Sequence, residues 1–147
     1  MPENVSVIIV LVEDDPGHAR LIEKNLRRAH LTNDIVVLRD GQEAIAYFFP
    51  EDEGTTARRA TPLLVLLDLN LPGLDGSQVL ARLKADARTM RIPVIILTTT
   101  DDPREIARCY ALGCNVYLTK PVEYERFAEA ICQLGLFLSV VKIPNGG

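Results

Sequence analysis

The sequence predicts an α/β fold, a doubly wound parallel sheet of five strands in the order 2-1-3-4-5 with helices on both faces. Three observations carry this prediction. Five short apolar segments alternate with five amphipathic segments along the chain. The apolar segments are rich in Val, Ile and Leu, which is typical of parallel strands because both of their faces are buried. Connections from strand to helix to strand are right-handed, and this order is the economical arrangement for five such units.

The predicted strands are short and bounded by polar residues. They cover residues 5–12, 34–38, 63–68, 93–98 and 115–119. Their length and branched side chains are typical of buried strands. Residues 50–62 are polar and lack apolar periodicity, so a surface loop is predicted before the third strand.

The predicted helices are recognised by their N-terminal caps and by apolar side chains at helical spacing. In the first helix, Ala19, Ile22 and Leu26 recur on one face, while charged residues fill most of the other. Gly113 is a suitable end for the fourth helix, and the fifth is marked by Phe127 and continues to about residue 141. Acidic residues are expected to cap the first four helices: Asp15, Asp40, Asp75 and Asp102.

Composition indicates one globular domain. The chain has 147 residues, of which 48% are hydrophobic and 24% charged, values that suit a chain with a sizeable core. We expect a single domain over residues 1–147, with a core at about 5–135 and a C-terminal helix extension and tail at about 136–147. The net charge of -4 gives no electrostatic reason to expect nucleic acid as a partner.

The cysteines and the N-terminus bear on the compartment. Three cysteines without CxxC spacing favour neither a disulfide set nor a zinc site, so reduced thiols are expected. The N-terminus has no basic segment, and no apolar run is long enough to cross a membrane. The expected compartment is therefore the cytoplasm, without a membrane partner.

Polar side chains follow the strands at the edge of the sheet where ligands bind in this architecture. Glu13 and Asp14 follow the first strand, Asp68 ends the third, Thr98 ends the fourth and Lys120 follows the fifth. Acids after strands usually cap the next helix, but no helix is predicted beside Asp68. Several carboxylates around one lysine repel each other unless a cation joins them, and oxygen ligands suit Mg²⁺. The pattern predicts a divalent metal site.

Four motifs, in order and on the expected elements, resemble the receiver domain of bacterial two-component response regulators. They are VEDDP at 12–16, LLDLNLPGLDG at 66–76, ILTTTD at 96–101 and YLTKP at 117–121. The resemblance covers about residues 5–135 and implies the flavodoxin-like receiver fold. The loop before the third strand, the three consecutive threonines and the tail FLSVVKIP at 137–144 further resemble single-domain regulators paired with bacterial phytochrome histidine kinases.

The resemblance implies a nucleophile and a metal site. Asp68 would take a phosphoryl group from a phosphohistidine on a sensor histidine kinase and form an acyl phosphate. Asp14 would bind Mg²⁺ directly and Glu13 through water, with the backbone carbonyl of Asn70 as a third protein ligand, and Asp68 would also belong to the metal site. The metal would offset charge on the transferring group.

The resemblance also assigns the residues around the phosphoryl group. Lys120 would pair with Asp68 and then with a phosphoryl oxygen, and its bond to Pro121 is expected to be cis. Thr98 would donate its hydroxyl to another phosphoryl oxygen. Tyr117 matches an aromatic switch position, where the ring turns inward as Thr98 moves; the alternative is a half-buried tyrosine on an outer strand.

Three further positions concern the lifetime of the acyl phosphate and access to the site. Asn70 and Thr100 correspond to variable sites that flank the path of the hydrolytic water, so they are expected to set the lifetime. Thr99 stands where many receivers carry Ala or Gly. We therefore expect narrower access for small phosphodonors.

The implied function is a phosphoacceptor that signals by changing its protein contacts, assisting only its own phosphotransfer and dephosphorylation rather than acting as an enzyme. Two alternatives within the family remain open, a non-phosphorylated scaffold and a relay that passes the phosphoryl group onward. Other uses of the fold fit less well. A haloacid dehalogenase phosphatase needs a second acid at Asn70, and a nucleotide carrier needs a phosphate loop where residues 13–15 are acidic.

The C-terminal tail is unusually apolar for a chain end. Together with the fourth helix, the fifth strand and the fifth helix it is predicted to form the face of a homodimer. The alternative is a last helix that folds onto its own sheet. The apolar tail residues are Leu136, Phe137, Leu138, Val140, Val141 and Ile143.

Overall fold

The computed structural model describes residues 7–50 and 62–133, which form one five-stranded sheet flanked by helices. All neighbouring strands are parallel, and their order is 2-1-3-4-5. The predicted fold class and strand order are therefore confirmed. The strands are β1 (Ile8–Val12), β2 (Ile35–Leu38), β3 (Leu63–Leu67), β4 (Val94–Thr98) and β5 (Val116–Thr119).

Five helices follow the strands in turn. They are α1 (Pro16–Arg28), α2 (Gly41–Phe48), α3 (Gly76–Ala85), α4 (Pro103–Leu112) and α5 (Tyr124–Gln133). Within the part of the chain that the structure describes, no helix has both the length and the apolar character needed to cross a bilayer.

The strands bury both faces because their side chains alternate between two apolar clusters. Leu64 and Leu66 of β3 lie in one cluster, with residues of α1 and α5. Val65 and Leu67 lie in the other, with residues of α2, α3 and α4. Every residue of β3 is buried. The central strand is thus a rigid support for the residue that follows it, Asp68.

Acidic residues stand at the N-cap of the first four helices as the sequence predicts, and at α3 the amide of Asp75 donates to Gln78 Oε1 at 2.9 Å. Asp15 and Asp102 accept hydrogen bonds from first-turn amides of α1 and α4, and each precedes a proline. Asp40 caps α2 through the Glu43 amide at 2.8 Å, but the Glu43 carboxylate accepts from the amide of Arg39 rather than of Asp40. These caps place the first turns of the helices at the carboxyl edge of the sheet.

The observed element boundaries differ slightly from the predicted ones. Strands β2, β4 and β5 begin one residue later than expected, and β3 ends one residue before Asp68. An apolar pattern predicts the centre of a strand more accurately than it predicts where the hydrogen-bonded ladder ends. Most of the predicted loop (51–61), the extension of the fifth helix and the tail (134–147), and residues 1–6 lie outside the described residues.

The three cysteines are free. Cys109 and Cys114 are buried and Cys132 is exposed. Burial raises the pKa of Cys109, and it raises that of Cys114 to about 12. The two buried side chains therefore behave as small apolar core residues rather than as nucleophiles.

Candidate functional site

Asp68 occupies the centre of the carboxyl edge of the sheet. It follows β3, which lies between β1 and β4, and its backbone amide donates to the carbonyl of Val12 at 3.1 Å. The side chain is buried, and its Oδ1 accepts a hydrogen bond from the amide of Asn70 at 3.1 Å. The backbone on both sides therefore fixes the orientation of this carboxylate.

Lys120 brings the loop after β5 to the same place. Its Nζ donates to Asp68 Oδ2 at 3.0 Å and to Glu13 Oε1 at 2.5 Å, and only 9% of its side chain is exposed. Its backbone amide donates to the carbonyl of Thr98 at 2.8 Å, and its peptide bond to Pro121 is cis. The lysine therefore connects β1, β3, β4 and β5 at one point.

Burial and hydrogen bonding act in opposite directions on the pKa values of Lys120 and Glu13. Burial would lower the pKa of Lys120, but the hydrogen bonds to Glu13 and Asp68 outweigh it and hold that pKa above its usual value. Burial raises the pKa of Glu13, although the bonds from Lys120 and from the amide of Asp15 act against this rise. The lysine is consequently an ammonium ion over the ordinary pH range.

Glu13, Asp14 and Asp68 form an acidic cluster whose ligand atoms all lie within 4.8 Å of one another. Glu13 and Asp68 are buried, whereas Asp14 is exposed. When ionised, three carboxylates beside one ammonium leave an excess of negative charge in a partly buried place, which is costly without a cation. Hard oxygen ligands at this spacing fit a divalent ion such as Mg²⁺.

Thr98 lies at the end of β4 and is fully buried. Its Oγ1 accepts hydrogen bonds from Asn70 Nδ2 at 3.3 Å and, at the limit of the usual range, from the amide of Thr100 at 3.5 Å. Both contacts use the oxygen as an acceptor, and the hydroxyl carries a donor hydrogen in addition. Asn70 therefore contacts both the carboxylate and the hydroxyl of the site.

Tyr117 is half-buried on the outer strand β5 and contacts the loop after Thr98. Its hydroxyl donates to the carbonyl of Thr100 at 2.7 Å, and its backbone amide donates to the hydroxyl of Tyr110 at 3.1 Å. Burial raises the pKa of the Tyr117 phenol to about 12, so the donor proton is retained. The ring is thereby attached to the loop next to Thr98 rather than to Thr98 itself.

Thr99 is exposed beside the site. It lines a groove of about 190 Å³ together with Lys120, Pro121, Val122 and residues of α1. The groove opens beside the lysine that contacts Asp68. A group that approaches Lys120 through this groove passes the Thr99 side chain.

Sequence reasoning missed two residues near the site. His18 Nδ1 lies 3.2 Å from Lys120 Nζ, and Tyr110 accepts from the backbone of Tyr117. A signal for His18 does exist, because it lies in the first turn of the helix that follows Glu13 and Asp14. Its contact with a residue 102 positions away, however, depends on how α1 packs beside the loop after β5.

Gly76 is the close contact between α3 and the backbone that carries Asp68. A Cβ at this position would lie 2.2 Å from the carbonyl oxygen of Asp68 and 2.6 Å from the Cα of Leu69. We expect Gly76→Ala to lower the free energy of unfolding by about 1–3 kcal/mol, because the backbone must shift to accommodate a methyl group. Urea denaturation measures this change.

Gly73 provides the matched control for that substitution. It has a φ of +73° and has no atom within 4 Å of the Cβ position. Gly73→Asn should cost less, because asparagine tolerates this backbone conformation and meets no steric obstacle. Equal losses at the two positions would show that close packing against Asp68 is not the cause.

Known proteins are similar to this chain in sequence and in fold. Residues 9–132 match the family described as the response regulator receiver domain. A response regulator receiver domain from Rhodospirillum rubrum, solved by crystallography, is 58% identical with a TM-score of 0.74, covering 94% of this chain and 97% of its own. The bacteriophytochrome response regulator RtBRR is 36% identical with a TM-score of 0.80, covering 95% and 84% of the two chains.

Response regulator Rcp1 from Synechocystis sp. is a further relative. It is 38% identical over 117 residues, which are 80% of this chain and 78% of Rcp1. A crystal structure of Rcp1 in a Mn(2+)-bound form gives a TM-score of 0.71 at 34% identity, covering 94% and 99% of the two chains. These similarities confirm the resemblance drawn from the four motifs, and this chain belongs to the response regulator receiver domain family.

Proposed function

We propose that this protein accepts a phosphoryl group on Asp68 from a sensor histidine kinase and signals by changing its contacts with other proteins. One observation carries the proposal. The ammonium of Lys120 bonds both Asp68 and Glu13 inside an acidic cluster at the carboxyl edge of the sheet. This arrangement supports the proposal, because a carboxylate, an ammonium and an acidic cluster that could hold a divalent ion lie around one point.

The transfer itself requires little covalent chemistry from the protein. A carboxylate oxygen of Asp68 forms a bond to phosphorus, the bond from phosphorus to the kinase histidine breaks, and the imidazole leaves with the electron pair. Lys120 and the hydroxyl of Thr98 then stabilise negative charge on the phosphoryl oxygens. Lys120 already contacts Asp68, so its ammonium moves only from the carboxylate to a neighbouring phosphoryl oxygen.

Mg²⁺ is the cofactor we propose. Glu13, Asp14, Asp68 and the backbone carbonyl of Asn70 would hold it, and the bound ion would offset charge on the transferring group. The cluster of three carboxylates supports this assignment, as does the Mn(2+)-bound form of the relative Rcp1. We further propose that Asn70 and Thr100 set the lifetime of the acyl phosphate.

Phosphotransfer from a purified kinase tests the function. The protein is incubated with Mg²⁺ and with the labelled histidine kinase of a bacterial phytochrome, the partner suggested by the relative RtBRR, and in parallel with acetyl phosphate. We expect an acid-stable, base-labile label on this chain. The absence of label from both donors would contradict the phosphoacceptor function and favour a non-phosphorylated scaffold. We propose no enzymatic activity towards other substrates.

Thr99→Ala tests access to the site from the groove. Removing the hydroxyl and methyl groups widens the approach to Lys120, so we expect phosphorylation by acetyl phosphate to become roughly twofold to tenfold faster. Transfer from the kinase should change less, because the kinase presents its phosphohistidine through a protein contact. The two rates are compared under the same Mg²⁺ concentration. An unchanged rate with acetyl phosphate would show that Thr99 does not limit the access of small phosphodonors to the site.

The homodimer we propose uses α4, β5 and α5 together with the C-terminal tail. On the described part of this face, Tyr110 and Cys132 are exposed. A chain truncated after Leu134 is expected to elute as a monomer, while the full chain elutes as a dimer, because the apolar tail contributes contact area. Size-exclusion chromatography with light scattering measures both masses. A dimer that survives truncation would exclude the tail from the interface.

A further inference from the structure

We propose that His18 is a positioning residue for Lys120, acting as the third hydrogen-bond acceptor of its ammonium group. This inference rests on the proposed function, since it concerns how the lysine is held for phosphoryl transfer. It adds a residue of α1 to a site otherwise built from the ends of the strands and the loops that follow them.

The hydrogen-bond geometry of Lys120 carries the inference. An ammonium has three donor hydrogens and no acceptor. Lys120 Nζ has three partners in the structure: Asp68 Oδ2 at 3.0 Å, Glu13 Oε1 at 2.5 Å and His18 Nδ1 at 3.2 Å. Because an ammonium only donates, the proposed bond requires Nδ1 of His18 to accept, with the ring proton on Nε2. Every donor of the lysine is thus matched by one acceptor.

The three partners differ in charge and burial. Glu13 and Asp68 are buried carboxylates, whereas His18 carries an imidazole and 47% of its side chain is exposed. His18 Nδ1 lies 3.7 Å from Glu13 Oε2, which is beyond hydrogen-bond distance, so its close contact is with the lysine. The histidine therefore contacts the ammonium from the solvent side of the acidic cluster.

The backbone of His18 is fixed by the cap of α1. Its amide donates to Asp15 Oδ1 at 3.1 Å, in the first turn of the helix. α1 is in turn attached to the loop after β5, because Asn25 Nδ2 donates to the carbonyl of Val122 at 2.9 Å. These two contacts fix the backbone of His18 relative to the loop that carries Lys120.

A third acceptor matters because one of the other two, Asp68, changes its role during phosphorylation. Lysine has a flexible stem, and it must move its contact from the Asp68 carboxylate to a phosphoryl oxygen. His18 takes no part in that transfer and remains available as an acceptor before and after it. It therefore limits the positions that the ammonium can occupy. Loss of this acceptor should slow phosphorylation while leaving the fold unchanged.

The kinetic test compares variants of the two histidines of the chain. His18→Ala is expected to slow phosphorylation by acetyl phosphate roughly threefold to tenfold, which corresponds to the net contribution of one ordinary hydrogen bond. His18→Asn should restore most of the rate. The Oδ1 of asparagine, like the Nδ1 of histidine, is attached to Cγ, so it can accept a hydrogen bond from the same position. His30→Asn, two residues after the end of α1, is the control and should match the parent protein.

The kinetic outcomes are decisive in either direction. A slow rate in His18→Ala together with a nearly normal rate in His18→Asn supports the acceptor role. An unchanged rate in His18→Ala, or an asparagine variant as slow as the alanine variant, would overturn it. Thermal unfolding of His18→Ala should resemble that of the parent, so that a slow rate is not due to misfolding.

Nitrogen NMR of the unphosphorylated protein gives a readout that does not depend on phosphoryl transfer. The His18 ring should be found as the Nε2–H tautomer. In the Lys120→Met variant, the Nδ1 resonance of His18 should move towards that of a ring nitrogen that accepts no hydrogen bond. The His30→Asn variant assigns the signals. An Nδ1–H tautomer, or a resonance unaffected by Lys120→Met, would refute the contact. If the parent protein accepts no phosphoryl label but Lys120→Met still shifts the Nδ1 resonance of His18, the proposed function is wrong while the contact between His18 and Lys120 is supported.

Discussion

Asp68→Asn is expected to abolish phosphoryl labelling by both the histidine kinase and acetyl phosphate. An amide oxygen is a far weaker nucleophile than a carboxylate, and Asp68 is the acid in contact with both Lys120 and the amide of Asn70. The variant should fold, because asparagine has the same shape and its oxygen can still accept from Lys120. Autoradiography after acid denaturation, with circular dichroism of the same sample, measures both properties.

Asp40→Asn is the matched control for this experiment. Asp40 also follows a strand, but it caps α2 through the amide of Glu43. Since asparagine caps helices about as well as aspartate, this variant should fold and accept label like the parent. Persistent labelling of Asp68→Asn, or loss of label in Asp40→Asn, would contradict the assignment of the nucleophile.

Lys120→Met is expected to slow phosphorylation about 10²-fold to 10³-fold, the usual cost of removing one preorganised donor to a developing oxyanion. Methionine preserves the apolar stem but has no charge and no donor hydrogens. The carboxylates of Glu13 and Asp68 then lose the cation that bonds both of them. Initial rates with acetyl phosphate at saturating Mg²⁺ measure the effect.

Lys84→Met separates the role of Lys120 from the general cost of losing a lysine. Lys84 is also partly buried, and its Nζ donates to the carbonyls of Met90 at 3.1 Å and Ile92 at 2.7 Å, before β4 begins. That end of β4 is the amino edge of the sheet, away from Asp68. The Lys84 variant should lose some stability and keep its phosphorylation rate. Similar rates in the two variants would argue against direct contact between Lys120 and the phosphoryl group.

The sequence by itself determined the layers of the fold and the edge of the sheet that carries the site. Apolar runs such as residues 63–67 and caps such as Asp15 are properties of a few neighbouring residues, so they can be read without knowing the rest of the chain. Parallel strands place their carboxyl ends together. The acids after β1 and β3 could therefore be assigned to one place, and the motifs associated them with Thr98 and Lys120.

The tertiary structure alone decided which side chains in that place contact each other. Lys120 reaches Glu13 and His18 across separations of 107 and 102 residues, and Tyr117 contacts the carbonyl of Thr100 rather than the hydroxyl of Thr98. These contacts depend on strand register and helix packing, which place each atom to within about an ångström, the scale on which hydrogen bonds form or fail. Apolar periodicity specifies which face a side chain is on but not its distance from a partner on another element.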